Sequence, residues 1–154
     1  MIGYLTRLKL IAYSGLAGWV AGFLVVSPLE LLIGLRDSQG EPRLFTQTLM
    51  MGLAVWGVWT LVLAFAAWLM IAVPCVLIFQ PAMLIRFRSR VLLLTALLSV
   101  VASFVKLIPF RDQATSKVIL RFELFFQYGS FALSFAVVTA WLYLRLARRS
   151  LLSS

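Results

Sequence analysis

Residues 44–85 read LFTQTLMMGLAVWGVWTLVLAFAAWLMIAVPCVLIFQPAMLI, 42 residues without a charged side chain. A helix that crosses the hydrocarbon core of a bilayer takes about 20 apolar residues. The run therefore holds one long span or a hairpin of two. A hairpin needs a turn near its middle, and Leu63-Ala64-Phe65-Ala66-Ala67 contains no turn former. The breakers come late, at Pro74 and Pro81. The sequence thus predicts one span over about 49–73, kinked at its end by Pro74, with Gln80-Pro81 opening a short interfacial helix over 81–88.

Three further apolar stretches lie outside this run. The first covers 10–26, and Ser27-Pro28-Leu29-Glu30 follows it. Serine, then proline, then glutamate three residues on is a capping-box pattern with proline at the first helical position. It predicts a second short helix over 28–35. The alternative is one helix over 10–35, kinked at Pro28. The remaining spans are expected at 91–108 and 122–144. Polar segments separate them: 36–43, carrying Gly40 and Pro42; the arginine cluster before residue 91; and 110–121. The apolar runs do not alternate as barrel strands would, and backbone amides in lipid must be paired internally, so each span is read as a helix. The expected fold is all-α: a single membrane domain over 1–154, an antiparallel bundle of four transmembrane helices with short interfacial helices.

Composition agrees. The chain has 154 residues, 63% of them hydrophobic, with a mean hydropathy of +1.03. Soluble domains average about 45–50% apolar. Fourteen Lys and Arg against five Asp and Glu give a net charge of +9. These charges sit at predicted helix ends, where orientation and anionic headgroups account for them and nucleic acid is not needed. With four spans and the N-terminus inside, Arg7, Lys9, Arg86, Arg88, Arg90, Arg145, Arg148 and Arg149 share the inner side with no acid. The outer side holds the other six basic residues and all five acids. A five-span chain reverses this bias. Both termini are therefore expected in the cytoplasm. A bacterial inner membrane is the default location, because the chain is compact and shows no organelle-targeting extension. The N-terminal run is read as a retained helix, since no small-x-small cleavage pattern ends it.

The candidate functional residues fall into three groups. Small residues recur at four-residue spacing, which lets helix backbones approach closely. These are Ser14, Gly18 and Gly22 with Gly15 beside them, and Ala132, Ala136 and Ala140. They are expected to pack within the bundle or to meet another subunit. Glu30, Gln127, Ser130 and Ser134 form a candidate polar pathway, with Thr139 further along the same span. Glu30 also has a local reading, as the capping partner of Ser27. The third group, Arg86, Arg88, Arg90, Arg145, Arg148 and Arg149, is expected to orient the chain and contact anionic lipid.

No cofactor or metal is expected. The chain has no histidine, and its one cysteine, Cys75, cannot complete a ligand shell alone. No phosphate-binding glycine loop is present. The four spans and short loops resemble small multidrug transporters in topology alone. Those proteins depend on a membrane-embedded glutamate in the first helix, whereas Glu30 here is displaced towards the outer face, and no residue is carried over. The leading expectation is a non-catalytic subunit or assembly factor, partnered by membrane lipids and by other membrane subunits or itself. The alternative is a small homo-oligomeric transporter or channel with a polar stripe on its fourth span. A lipid-modifying enzyme is the third class. It would need Glu123 with Lys117 or Arg121 at an interface.

Overall fold

The computed structural model describes residues 3–37, 41–105 and 117–152. Side-chain surroundings are described for 3–36, for 41–102 apart from Trp56 and Leu63, and for 126–152. Every element among them is helical. In chain order they are α1 (Tyr4–Asp37), α2 (Pro42–Ala67), a π-helical turn (Trp68–Ala72), α3 (Val73–Ile78), α4 (Pro81–Arg86), α5 (Arg88–Val105) and α6 (Lys117–Leu152).

α1 is one continuous helix with Pro28 inside it, so the separate helix over 28–35 does not form. The capping-box expectation fails for a local reason. The Ser27 hydroxyl donates to the Phe23 carbonyl at 2.8 Å, one turn back. It thus satisfies an acceptor next to the Leu24 carbonyl, which Pro28 leaves without its helical donor. Ser27 does not cap a new helix, and Glu30 is released for a partner elsewhere.

The uncharged run lies in a single rod, Pro42–Ile78, up to residue 78, as its lack of a turn former predicts. Pro42 occupies the first turn, where a missing N–H costs nothing. Pro74 acts differently from a simple kink. In a regular α-helix its ring would press on the Met70 carbonyl. The wider turn Trp68–Ala72 contains that carbonyl, and the Val73 N–H reaches back five residues to the Trp68 carbonyl. Phe79 and Gln80 leave the helix in extended conformation, and Pro81 opens α4. α4 ends at Arg86, two residues short of the expected 88, and a one-residue break at Phe87 leads into α5.

Three helices among the described residues are long and apolar enough to cross a membrane: Tyr4–Arg36, Pro42–Ile78 and Phe126–Leu152. They suggest a membrane protein. The expected span over 91–108 falls on α5 up to Val105, and its last three positions lie outside the described residues.

The helices lie in the order α2, α1, α6, α5. The most extensive packing joins α1 to α6, followed by α5 with α6 and α1 with α2. α1 and α6 run antiparallel. Ile11 joins the core with Tyr143, Leu144 and Ala147, while Gly22 meets Phe131. α1 and α2 are antiparallel too, since Trp68 reaches Ile11 and Phe45 lies beside Gly34. One core cluster gathers the start of α1, the π turn, α4, the start of α5 and the end of α6. A second holds Val26, Ala64 and Phe131.

Candidate functional site

The glycine ridge of α1 is occupied within the chain. A methyl group at Gly18 would lie 2.6 Å from the Phe135 carbonyl oxygen and 2.0 Å from Thr139 Oγ1. At Gly22 it would lie 2.8 Å from the Phe131 ring. Only an absent side chain lets α1 and α6 come this close. Gly15 faces α2's end instead, with Trp68 Cδ1 at 2.9 Å from the corresponding position. Ser14 is fully buried, and its hydroxyl bonds to the Leu10 and Ile11 carbonyls of its own helix. Ala132, Ala136 and Ala140 are half-buried on α6.

Towards the other end of the same seam, the Gln127 amide Nε2 donates to Glu30 Oε1 at 2.9 Å. Glu30 is 8% exposed and Gln127 5%. α2 closes the third side at Gly52, where an added methyl would sit 3.0 Å from Glu30 Oε2. Three helices thus converge on one carboxylate. Burying a carboxylate is costly unless hydrogen bonds replace its water, and the Gln127 amide supplies one. The reading of Glu30 as a local cap missed this contact. Its partner lies 97 residues away, and the sequence linked the two only as members of the candidate polar pathway.

The other members of the candidate pathway are not brought into this pair by any hydrogen bond. The Ser130 hydroxyl bonds to the Phe126 carbonyl at 2.5 Å and the Gln127 carbonyl at 3.2 Å, and Ser134 is half-buried. Below Gln127 on the α1-facing side of α6 come Phe131 and Phe135, their rings stacked with centroids 6.0 Å apart. Thr139 and Tyr143 follow at the same spacing, 6% and 3% exposed. Among the described residues, Thr139 Oγ1 and the Tyr143 hydroxyl have no hydrogen-bond partner. The seam is therefore polar at both ends and aromatic in the middle.

Two tryptophans that the sequence reading did not single out as contacts tie α1 to α2. Trp19 Nε1 donates to Thr60 Oγ1 at 3.3 Å, and Trp68 Nε1 donates to the Ile11 carbonyl at 3.1 Å. Between them lies an apolar cavity of about 210 Å³, lined by residues that include Gly15, Trp19, Ala64, Trp68 and Phe135. Trp59, on α2, is exposed.

The six arginines of the third group are all exposed. The core cluster at their end of the molecule holds Leu84, Ile85 and Val91 against Tyr143, Leu144 and Ala147. It therefore sets Arg86, Arg88 and Arg90 at the same end as Arg145, Arg148 and Arg149, with Arg7 and Lys9 nearby on α1. The side chains of Lys117, Arg121 and Glu123 lie outside what is described, although their backbone belongs to α6. Among the described residues, no three of Cys, Asp and Glu come together as a metal site would need.

The long apolar helices suggest a helical membrane protein, and nothing narrower. No family model matches the chain, and no curated protein or solved structure matches it either.

Proposed function

We propose that the chain is a four-span membrane protein of a bacterial inner membrane, with both termini in the cytoplasm. In this reading it works as a non-catalytic subunit or assembly factor of a larger membrane complex. The observation that carries the proposal is the arrangement of the helices as a row. α1 and α6 form its tight middle. α2 and α5 sit at its edges and make no comparable contact with each other. Large apolar side chains therefore stay exposed along α2, among them Met50, Val55, Val58, Val62 and Phe65. An edge helix of this kind is completed by lipid or by a partner's helix, where packing rather than the hydrophobic effect selects the contact. The convergence of eight Lys and Arg at one end supports the orientation. α1 and α5 start at that end, and α3 and α6 finish there, as an even number of crossings requires. The test is the mass of the complex extracted in mild detergent. Larger proteins in fixed ratio to the chain support the reading, and a homo-oligomer of the chain alone overturns it.

The Glu30–Gln127 pair favours a second reading, a small oligomeric transporter. Carboxylates within membrane segments mark ion and substrate paths. In this reading Gln127→Leu abolishes flux in reconstituted vesicles while the fold stays intact. Unchanged flux would remove Gln127 from the path and leave the reading without support.

A further inference from the structure

We propose that Arg86, Phe87 and Arg90 form a binding site for the phosphate of an anionic phospholipid. The inference rests on the membrane reading of the helices but not on the subunit reading. The basic end holds two arginine clusters that differ in what their helix termini need. Arg145, Arg148 and Arg149 lie in the last turns of α6, where the negative end of the helix dipole favours cations. Arg88 and Arg90 lie in the first turn of α5, where the dipole disfavours them and favours an anion. Arg86 closes α4, where a cation is favoured, so Arg88 and Arg90 are the charges that their own helix terminus does not offset, and no acid lies beside them in the sequence.

The second observation is the geometry around Phe87. This residue occupies the break between α4 and α5, with φ −103° and ψ 27°. The guanidinium of Arg86 stands 5.8 Å from its ring centroid and that of Arg90 stands 5.4 Å away. One aromatic ring therefore fixes the positions of two exposed guanidinium groups, and a phosphate that pairs with both would offset their repulsion. Among the described residues, neither arginine has a carboxylate partner. Anionic lipid is the occupant that fits this place. The corner packs on the end of the apolar helices through Leu84, Ile85 and Val91. Trp141 and Tyr4, at the same end, stack against Arg145 and Arg7 as residues of an interfacial belt do.

The experiment is native mass spectrometry of the full chain, purified in mild detergent and given equal phosphatidylglycerol and phosphatidylcholine. Wild type is expected to retain phosphatidylglycerol preferentially. Arg86→Gln with Arg90→Gln should lower that preference by roughly fivefold per guanidinium. Arg148→Gln with Arg149→Gln removes the same charge from the same end and should lower it less than twofold. Phe87→Leu, which changes no charge, should weaken retention as the first pair does, and Phe87→Tyr should restore it. Equal losses in the two arginine pairs would mean net charge and no site. Unaltered retention in Phe87→Leu would remove the clamp. An absence of preference in wild type would leave the patch to an acidic protein segment, and displacement by millimolar inorganic phosphate would make the ligand free phosphate. Each of these four results overturns the assignment.

Discussion

α1 makes two long contacts, and they are built on opposite principles. Against α6 it offers bare backbone: Gly18 and Gly22 let the two helices approach until the Phe135 carbonyl and the Thr139 hydroxyl fill the space of the missing side chains. Against α2 and the turn that follows it, α1 is joined by two indoles, which give one hydrogen bond each and flank an apolar cavity of about 210 Å³. Close backbone contact maximises dispersion but tolerates no added atom. A bridged contact tolerates added atoms and is fixed at a few points. The α1–α6 seam should therefore behave as the rigid spine of the molecule, and α2 as the helix that can separate from it.

The largest effect should come from breaking the spine. Gly18→Val places three carbons against a carbonyl that cannot move without moving α6. Overpacking of this kind costs about 1–3 kcal/mol, and the upper end is expected here, read as lost stability in unfolding from mild detergent. A stability close to wild type would show that the seam yields and would remove the contrast. Next comes the polar end of the same seam. A double-mutant cycle of Glu30→Ala and Gln127→Leu should return a coupling of about 0.6–1.7 kcal/mol, the range of hydrogen bonds between membrane helices. Additive losses would show that the 2.9 Å contact contributes nothing specific. Thr139→Val should act with the opposite sign. It removes a buried hydroxyl without a partner and should be neutral or stabilise by up to about 1 kcal/mol. A clear loss would reveal a bond formed by that hydroxyl in the membrane.

The sequence carried what is local and lost what is distant. The uncharged run was readable as one rod because the absence of a turn former at 63–67 is a property of neighbouring residues. Pro74 was readable as a disturbance, but its π-helical form was not, since choosing between a kink and a wide turn depends on which side chains the following helix must bury. Here Val76 has to reach the core beside Ile11. Ser27-Pro28-Leu29-Glu30 misled because its local pattern is real. In water, such a pattern caps a helix. Within an apolar stretch, the hydroxyl turned back to Phe23, and α6 supplied Glu30 with an amide from 97 residues away. The glycine spacing showed that some helix would come close, but not which one. Trp68 against the Ile11 carbonyl had no signal in either segment.

The smallest effect separates the two seams most cleanly, because it makes one change in both. Gly→Ala adds the same methyl group everywhere, and in a helix interior it brings a propensity gain of about 1 kcal/mol. At Gly57 the new carbon meets only the Phe23 ring at 3.6 Å, an ordinary contact. Gly57→Ala should therefore leave stability unchanged or raise it by a few tenths of a kcal/mol once lost packing freedom is included. At Gly15 the nearest atom is Trp68 Cδ1 at 2.9 Å, part of a side chain at the cavity wall that can shift, so a small loss is expected. Gly22→Ala meets the Phe131 ring at 2.8 Å and its carbonyl at 3.1 Å, on the close seam, and should lose more than Gly15→Ala. Thermal unfolding of the three variants in one detergent gives the order directly. If Gly57→Ala falls as far as Gly22→Ala, α2 is held as rigidly as α6, and the edge helix on which the subunit reading depends is part of the spine.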